Sequence, residues 1–290
     1  MTALLAVARA IHFASLMVIF GGGAYAGLLR RGKLAEPSAG ALRTLFAAAA
    51  SLALISGIVW FCLIAGEMSG AWQGSLTPEV LELAAAATRF GHIFLARLIG
   101  LLALCAMCIW GRGTKGPALA GLGGLLLASL APISHAAATG GDIAVRGAAN
   151  DALHLLAAGF WLGGLIVLAL LICRRSTDGQ ALFGPLRIFS LWGTGVVALL
   201  VLTGVINALS ILPLSAMSLR NPYFQLLLVK IGLAAVMVGL ASLNRWRLAP
   251  ALPNGGDKEV RHLARSVGLE IALGLLVVAI VGYLGTTAPH

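Results

Sequence analysis

Charge is what this sequence has least of. Only 10% of its 290 residues are Asp, Glu, Lys or Arg, where a soluble domain carries about a quarter, so an ordinary globular enzyme is excluded first. Cysteine is equally sparse: Cys62, Cys105, Cys108 and Cys173 all lie in apolar stretches, which argues against a disulfide framework. Signatures of catalysis are missing too. There is no HExxH, no zinc-type cysteine pair with flanking partners, no Walker loop and no Ser-His-Asp arrangement. The glycine runs Gly21-Gly22-Gly23 and Gly163-Gly164 fall inside apolar stretches, where small residues let helices approach closely rather than cradle a phosphate. The expectation is a protein that is not an enzyme.

Apolar residues are what it has most of. They make up 60% of the chain, enough for roughly eight membrane spans of about 20 residues each. The apolar runs fall at 7–29, 44–66, 90–111, 117–134, 151–173, 188–212, 223–244 and 265–286. Lipid offers the backbone no hydrogen-bond partner, so these runs are expected as helices. The first lacks a basic leader and a small-residue cleavage site, and reads as a retained span. A short surface helix is expected after Pro78 in the loop with Glu67, Glu79 and Glu82.

A net charge of +10 would suit nucleic acid, but the basic residues are sorted by loop. Fourteen, from Arg30, Arg31 and Lys33 through to Arg261 and Arg265, fall on one side, while Arg89, Arg146 and Arg220 fall on the other. The positive-inside rule makes the fourteen cytoplasmic and both termini periplasmic, and leaves no need for a nucleic-acid partner. Arg9, Arg97 and Lys230 remain within or at the edge of spans, together with Glu270. Fixed positive charge would repel a cation, so Arg97 and Lys230 are expected to snorkel outward, pair with an acid such as Asp151, or bind an anion. Glu270 is left between pairing with a basic loop residue and carrying a proton.

The chain also resembles itself. RAIHFASLMVIFGG (9–22) aligns with DALHLLAAGFWLGG (151–164) at a constant offset of 142, which places His12 over His154. RLIGLLALCAMCIWGR (97–112) aligns with KIGLAAVMVGLASLNR (230–245), which places Arg97 over Lys230. The fold expected is therefore an all-α membrane protein of eight helices. Its two parallel four-helix halves, 1–143 and 144–290, are related by an axis along the membrane normal, as in many transporters.

Five of the six histidines map to the side opposite the fourteen basic residues: His12, His92, His135, His154 and His290. His262 lies in a basic loop. Ionisable groups at membrane depth are costly and usually face a bundle interior or water. His12, His92 and His154 come from three helices at comparable depth and can converge as bundle metal sites do. Imidazole suits copper, zinc, iron and nickel. The plainer reading is that each is a hydrogen-bonding residue at a helix end. A His pair on facing helices also suits b-type haem.

ALHLLAAGFWLGGL (152–165), FSLWGTGVVALLVLTGVINAL (189–209), PYFQLLLVKIGLAAVMVGLASLNRWRLAPAL (222–252) and ARSVGLEIALGLLVVAIVGYLGTTAP (264–289) together resemble the CopD family of bacterial copper-resistance membrane proteins. ARAIHF (8–13) and SHAAA (134–138) extend the resemblance to the first half. It implies an eight-helix inner-membrane protein that moves copper between periplasm and cytoplasm, and partnership with a small periplasmic CopC-type copper carrier. The family often ends in Pro-Pro, whereas this chain ends Pro289-His290.

On that reading the histidines His12, His92, His135 and His154, with His290 beside them, take Cu(I) or Cu(II) at the outer face. Met17, Cys105, Met107, Cys108, Cys173 and Met237 supply the soft donors that Cu(I) prefers further in. Met and Cys also pack as ordinary apolar residues. Three functions remain open: a copper transporter with uptake favoured, a b-type haem electron-transfer protein, and a copper sensor or assembly factor that does not transport.

Overall fold

A computed structural model describes residues 1–70, 72–110, 116–133, 141–174, 179–211, 218–253 and 256–287, and all regular structure among them is helical. The helices are α1 (Thr2–Arg31), α2 (Ala39–Met68), α3 (Pro78–Ala87), α4 (Arg89–Trp110), α5 (Gly116–Ala128), α6 (Gly141–Arg174), α7 (Gly179–Ile211), α8 (Pro222–Leu243), α9 (Ala249–Ala251) and α10 (Asp257–Leu284). A π-helical turn, Asn244–Leu248, joins α8 to α9. The expected surface helix after Pro78 is α3, with Pro78 in its first turn and Glu79 beside the helix start.

Local signals account for several boundaries. Ser38 caps α2 by accepting from the Ala41 N–H at 3.2 Å, and Asn221 caps α8 by accepting from the Tyr223 N–H at 2.9 Å, with Pro222 next. Glu259 reaches back to the Gly256 N–H at 2.9 Å and closes the start of α10.

Seven of the helices are long and apolar enough to cross a membrane. The expected fourth span appears instead as α5, which has 13 residues, about 20 Å of helix against a hydrocarbon core of about 30 Å. The apolar run continues past Ala128, but Pro132 lacks an N–H and disfavours a helical Ala131 before it; a short 3-10 turn, Ala131–Ile133, follows.

At the centre, α1 and α6 run parallel, backbone against backbone. A Cβ on Gly21 would strike the Gly159 carbonyl, and one on Gly163 would strike the Met17 carbonyl. Further along, Tyr25 lies against Gly164 and Val167 against Gly22. The phenol of Tyr25 is fully buried and donates to the Pro185 carbonyl of α7 at 2.8 Å. Around this pair α2, α5 and α10 pack on α1, and α7, α10 and α5 pack on α6. α4 leans on α2, and α8 on α10. α7 and α8 turn large apolar side chains outward, among them Leu202, Leu209 and Val236, as a surface facing lipid requires.

Candidate functional site

The first histidine stands where α1, α2, α4 and α5 meet. His12 is 1% exposed. Its Nδ1 lies 2.8 Å from the Ala53 carbonyl, which can only accept, so Nδ1 carries the proton and the lone pair is on Nε2. That lone pair accepts from Arg97 NH2 at 2.6 Å. Arg97 also donates to the Leu126 carbonyl at 2.5 Å and to the Ser129 hydroxyl. Ser56 passes its proton to the Leu52 carbonyl at 2.5 Å and turns its oxygen toward His12 Nδ1 at 3.4 Å. Gly57, next in sequence, has no Cβ, and one there would lie 3.1 Å from the imidazole Cε1. Trp60 meets the ring edge-on at 5.7 Å between centroids and carries Arg9 over its own face at 4.8 Å. A small cavity lies between His12, Gly57, Trp60, Phe90, Phe94 and Arg97.

The second histidine lies between α6 and α7, with Lys230 of α8 near it. His154 Nδ1 lies 2.9 Å from the Thr203 hydroxyl oxygen. Thr203 spends its own proton on the Leu199 carbonyl at 2.6 Å, so again Nδ1 donates and Nε2 keeps the lone pair. Gly204 follows Thr203, and a Cβ there would lie 3.4 Å from the imidazole Cε1. Lys230 is close enough to act electrostatically on His154, and Asp151 close enough to act on Lys230. Asn207 donates to Asp151 Oδ1 at 3.3 Å and accepts from Asn150 Nδ2 at 2.8 Å. The two sites share a plan: a hydroxyl residue followed by glycine, an imidazole protonated on Nδ1, and a cationic side chain from the next long helix.

The other expected site residues scatter. His92 is exposed, and its Nε2 donates to the Ala86 carbonyl at 2.8 Å, closing the corner between α3 and α4. His135 and His290 lie outside the described residues. Met17 is buried at the α1–α6 contact and Met237 at the α8–α10 contact. Cys108 is buried, Cys105 and Met107 are half-buried, and Cys173 is exposed. Among the described residues no three His, Cys, Asp or Glu side chains gather as a ready metal site. Arg97 neither snorkels outward nor pairs with an acid among the described residues: it is buried, and its partners are a neutral imidazole, a carbonyl and a hydroxyl. Glu270 is buried and accepts from Asn244 Nδ2 at 2.5 Å, in place of a basic loop residue.

Sequence reasoning passed over Ser56, Gly57, Thr203, Gly204, Asn150, Asn207 and Asn244. A signal for four of them was present: ISGIV (55–59) and LTGVI (202–206) place Ser-Gly and Thr-Gly at matching points of the second and sixth apolar runs.

Comparisons with known proteins agree along the whole chain. Residues 1–145 match the family described as "Copper resistance protein D-like, N-terminal domain", and residues 184–284 match "Copper resistance protein D". "Copper resistance protein D" of Pseudomonas syringae pv. tomato is 32% identical, covering 97% of this chain and 96% of its own. "Inner membrane protein YebZ" of Escherichia coli (strain K12) is 30% identical over 97% of both chains. "Copper transport protein CutJ" of Bacillus subtilis (strain 168) is 33% identical, over 42% of this chain and 22% of its own. No solved structure matches. With full-length relatives at this identity and both halves matched, the chain belongs to the copper resistance protein D family.

Proposed function

We propose that this protein moves copper ions across the bacterial inner membrane, in the direction of uptake, through a histidine site at its periplasmic end. Two relatives are named for copper resistance or copper transport, and a third for the inner membrane. The proposed topology has eight spans, α5 with its following turn making the fourth. Both termini are periplasmic and the arginine-rich end is cytoplasmic, as the loop charges favour.

The observation that carries the reading is the paired arrangement at His12 and His154. In each, Nδ1–H is held by an acceptor on the neighbouring helix, so Nε2 is the ligating nitrogen. Second partners of this kind set the tautomer in metal-binding histidines. At His154, Asp151 and Lys230 lie close by, and the half-buried ring makes it the receiving ligand. At His12 the Arg97 guanidinium occupies Nε2, so copper reaches that nitrogen only when Arg97 turns wholly to Leu126 and Ser129. Met237, seven residues beyond Lys230 on α8, offers a soft thioether on the way inward.

The contacts between α1 and α6 support two parallel halves, 1–143 and 144–290. Under an offset of 142, the Gly21–Gly159 approach exchanges with Met17–Gly163, and Tyr25–Gly164 exchanges with Gly22–Val167. A CopC-type periplasmic carrier is the proposed copper donor. The names of the relatives favour copper over haem at these histidines.

The test is copper binding and uptake by purified protein in reconstituted vesicles. Replacing both histidines (His12→Ala with His154→Ala) is expected to lower bound copper and abolish uptake. Unchanged copper stoichiometry in that variant refutes the histidine site, and binding without uptake selects a sensor or assembly factor.

A further inference from the structure

A second polar cluster lies at the arginine-rich end, away from both histidines. Glu270 is 1% exposed and Asn244 4%. Asn244 Nδ2 donates to Glu270 Oε1 at 2.5 Å. Their other oxygens, Glu270 Oε2 and Asn244 Oδ1, are buried without a hydrogen-bond partner, as is Ser266 Oγ. The backbone is shaped to put Asn244 there. Pro250 has no N–H to continue an α-helical ladder, and the chain instead forms the π turn in which the Ala249 N–H reaches back five residues to the Asn244 carbonyl. Such turns concentrate at functional positions. The pair borders a cavity of about 170 Å³ that runs out between α7 and α8 to the exposed Arg245 and Trp246.

A carboxylate with two neutral donors, the Asn244 amide and the Trp161 indole, and no counter-charge is poorly matched to this setting. Among the described residues Glu270 makes no ion pair. α7 brings Ser190 and Thr194, α6 brings the Trp161 indole, and the one cation on the wall, Arg245, is directed to the Ser190 carbonyl at 3.4 Å and the Thr194 hydroxyl. An ionised carboxylate buried without a counter-charge is far costlier than a neutral carboxyl that is hydrogen-bonded to its neighbour. A protonated carboxyl also complements a carboxamide at two points: the amide N–H to the carbonyl oxygen, and the carboxyl O–H to the amide oxygen. The first bond is present, and the two atoms of the second are the two orphans.

We propose that Glu270 is a proton-binding site, held by Asn244 and loaded from the arginine-rich side through the cavity between α7 and α8. The proton comes from water in the cavity. It forms the Oε2–H bond, is donated to Asn244 Oδ1, and returns to the same water when the pair opens. No metal is needed for this exchange.

The experiment is infrared difference spectroscopy on the full chain in lipid nanodiscs, in the carboxylic-acid carbonyl region above the amide bands, as pH is varied around neutrality. A band is expected that titrates, disappears in Glu270→Gln, and moves to higher wavenumber in Asn244→Leu, where the carbonyl oxygen loses its donor. In oriented vesicles the band is expected to follow the pH on the arginine-rich side only. A titrating spectrum that Glu270→Gln leaves unchanged overturns the proposal. So does a band that Asn244→Leu leaves in place, because the carboxamide is then not its partner. Failure of copper uptake leaves all these outcomes readable, since none depends on metal.

Discussion

The two nitrogens of His12 do different work, and the division follows from which partner can donate. Ala53 holds the proton on Nδ1, and Arg97 holds the lone pair on Nε2. Removing the guanidinium while keeping the bulk of its stem, as in Arg97→Met, is expected to have two opposed effects. Leaving the Leu126 carbonyl and Ser129 without their donor costs about 1–3 kcal/mol of stability. Freeing Nε2 and removing a fixed positive charge strengthens copper binding at His12. Competition with a coloured Cu(I) chelator, in a His154→Ala background, reads the second effect alone. Weaker binding in Arg97→Met would show that the arginine supports the metal site rather than guarding it. The sequence made His12 and Arg97 visible separately, one as a repeated motif and the other as a charge at membrane depth. Their bond was not legible, because 85 residues separate them and a buried cation is ordinarily matched to an acid. A neutral imidazole with a fixed tautomer satisfies it as well, and no local pattern announces that choice.

Among the elements, the α1–α6 pair carries the most consequence per residue. Gly21 and Gly163 let two backbones touch, and the atoms in the way of a side chain are carbonyls, which cannot rotate aside. Gly21→Ala is therefore expected to cost more than the usual overpacking range of about 1–3 kcal/mol. Gly232→Ala, where nothing lies within 4 Å of the added carbon, should be neutral or stabilise by up to about 1 kcal/mol through the better helix propensity of alanine. Thermal unfolding of the two variants in the same detergent separates packing from propensity, and equal melting temperatures would remove the close contact from the argument. Most of this level was legible in the sequence. The apolar runs located every long helix, and the small-residue runs marked where two of them meet. The extent of α5 was not read, since periodicity gives no weight to a single Pro132 that ends a helix inside an otherwise apolar stretch. The π turn was equally hidden, because the Asn244–Leu248 segment differs from an α-helix only in its hydrogen-bond register.

Over the whole molecule, the two ends differ in kind: the His12 and His154 sites lie toward one, most of the loop arginines and a buried carboxylate toward the other. That difference gives the protein a direction only once the ends are assigned to sides of the membrane. The chain contains its own probe of the assignment. Cys173 is exposed beside Arg174 at the arginine-rich end of α6, whereas Cys108 is buried and Cys62 and Cys105 are half-buried within their helices. A membrane-impermeant maleimide is expected to leave Cys173 unlabelled in intact spheroplasts and to label it in inverted vesicles. Comparison with Cys173→Ser isolates the signal from the other three thiols. This outcome places His12 and His154 toward the periplasm, where a carrier could deliver copper, and Glu270 toward the cytoplasm, where its proton would exchange. Labelling of Cys173 in spheroplasts would reverse both statements together. The positive-inside assignment would then fail for this chain, and the histidines would belong to the side on which copper leaves the cell's own pool.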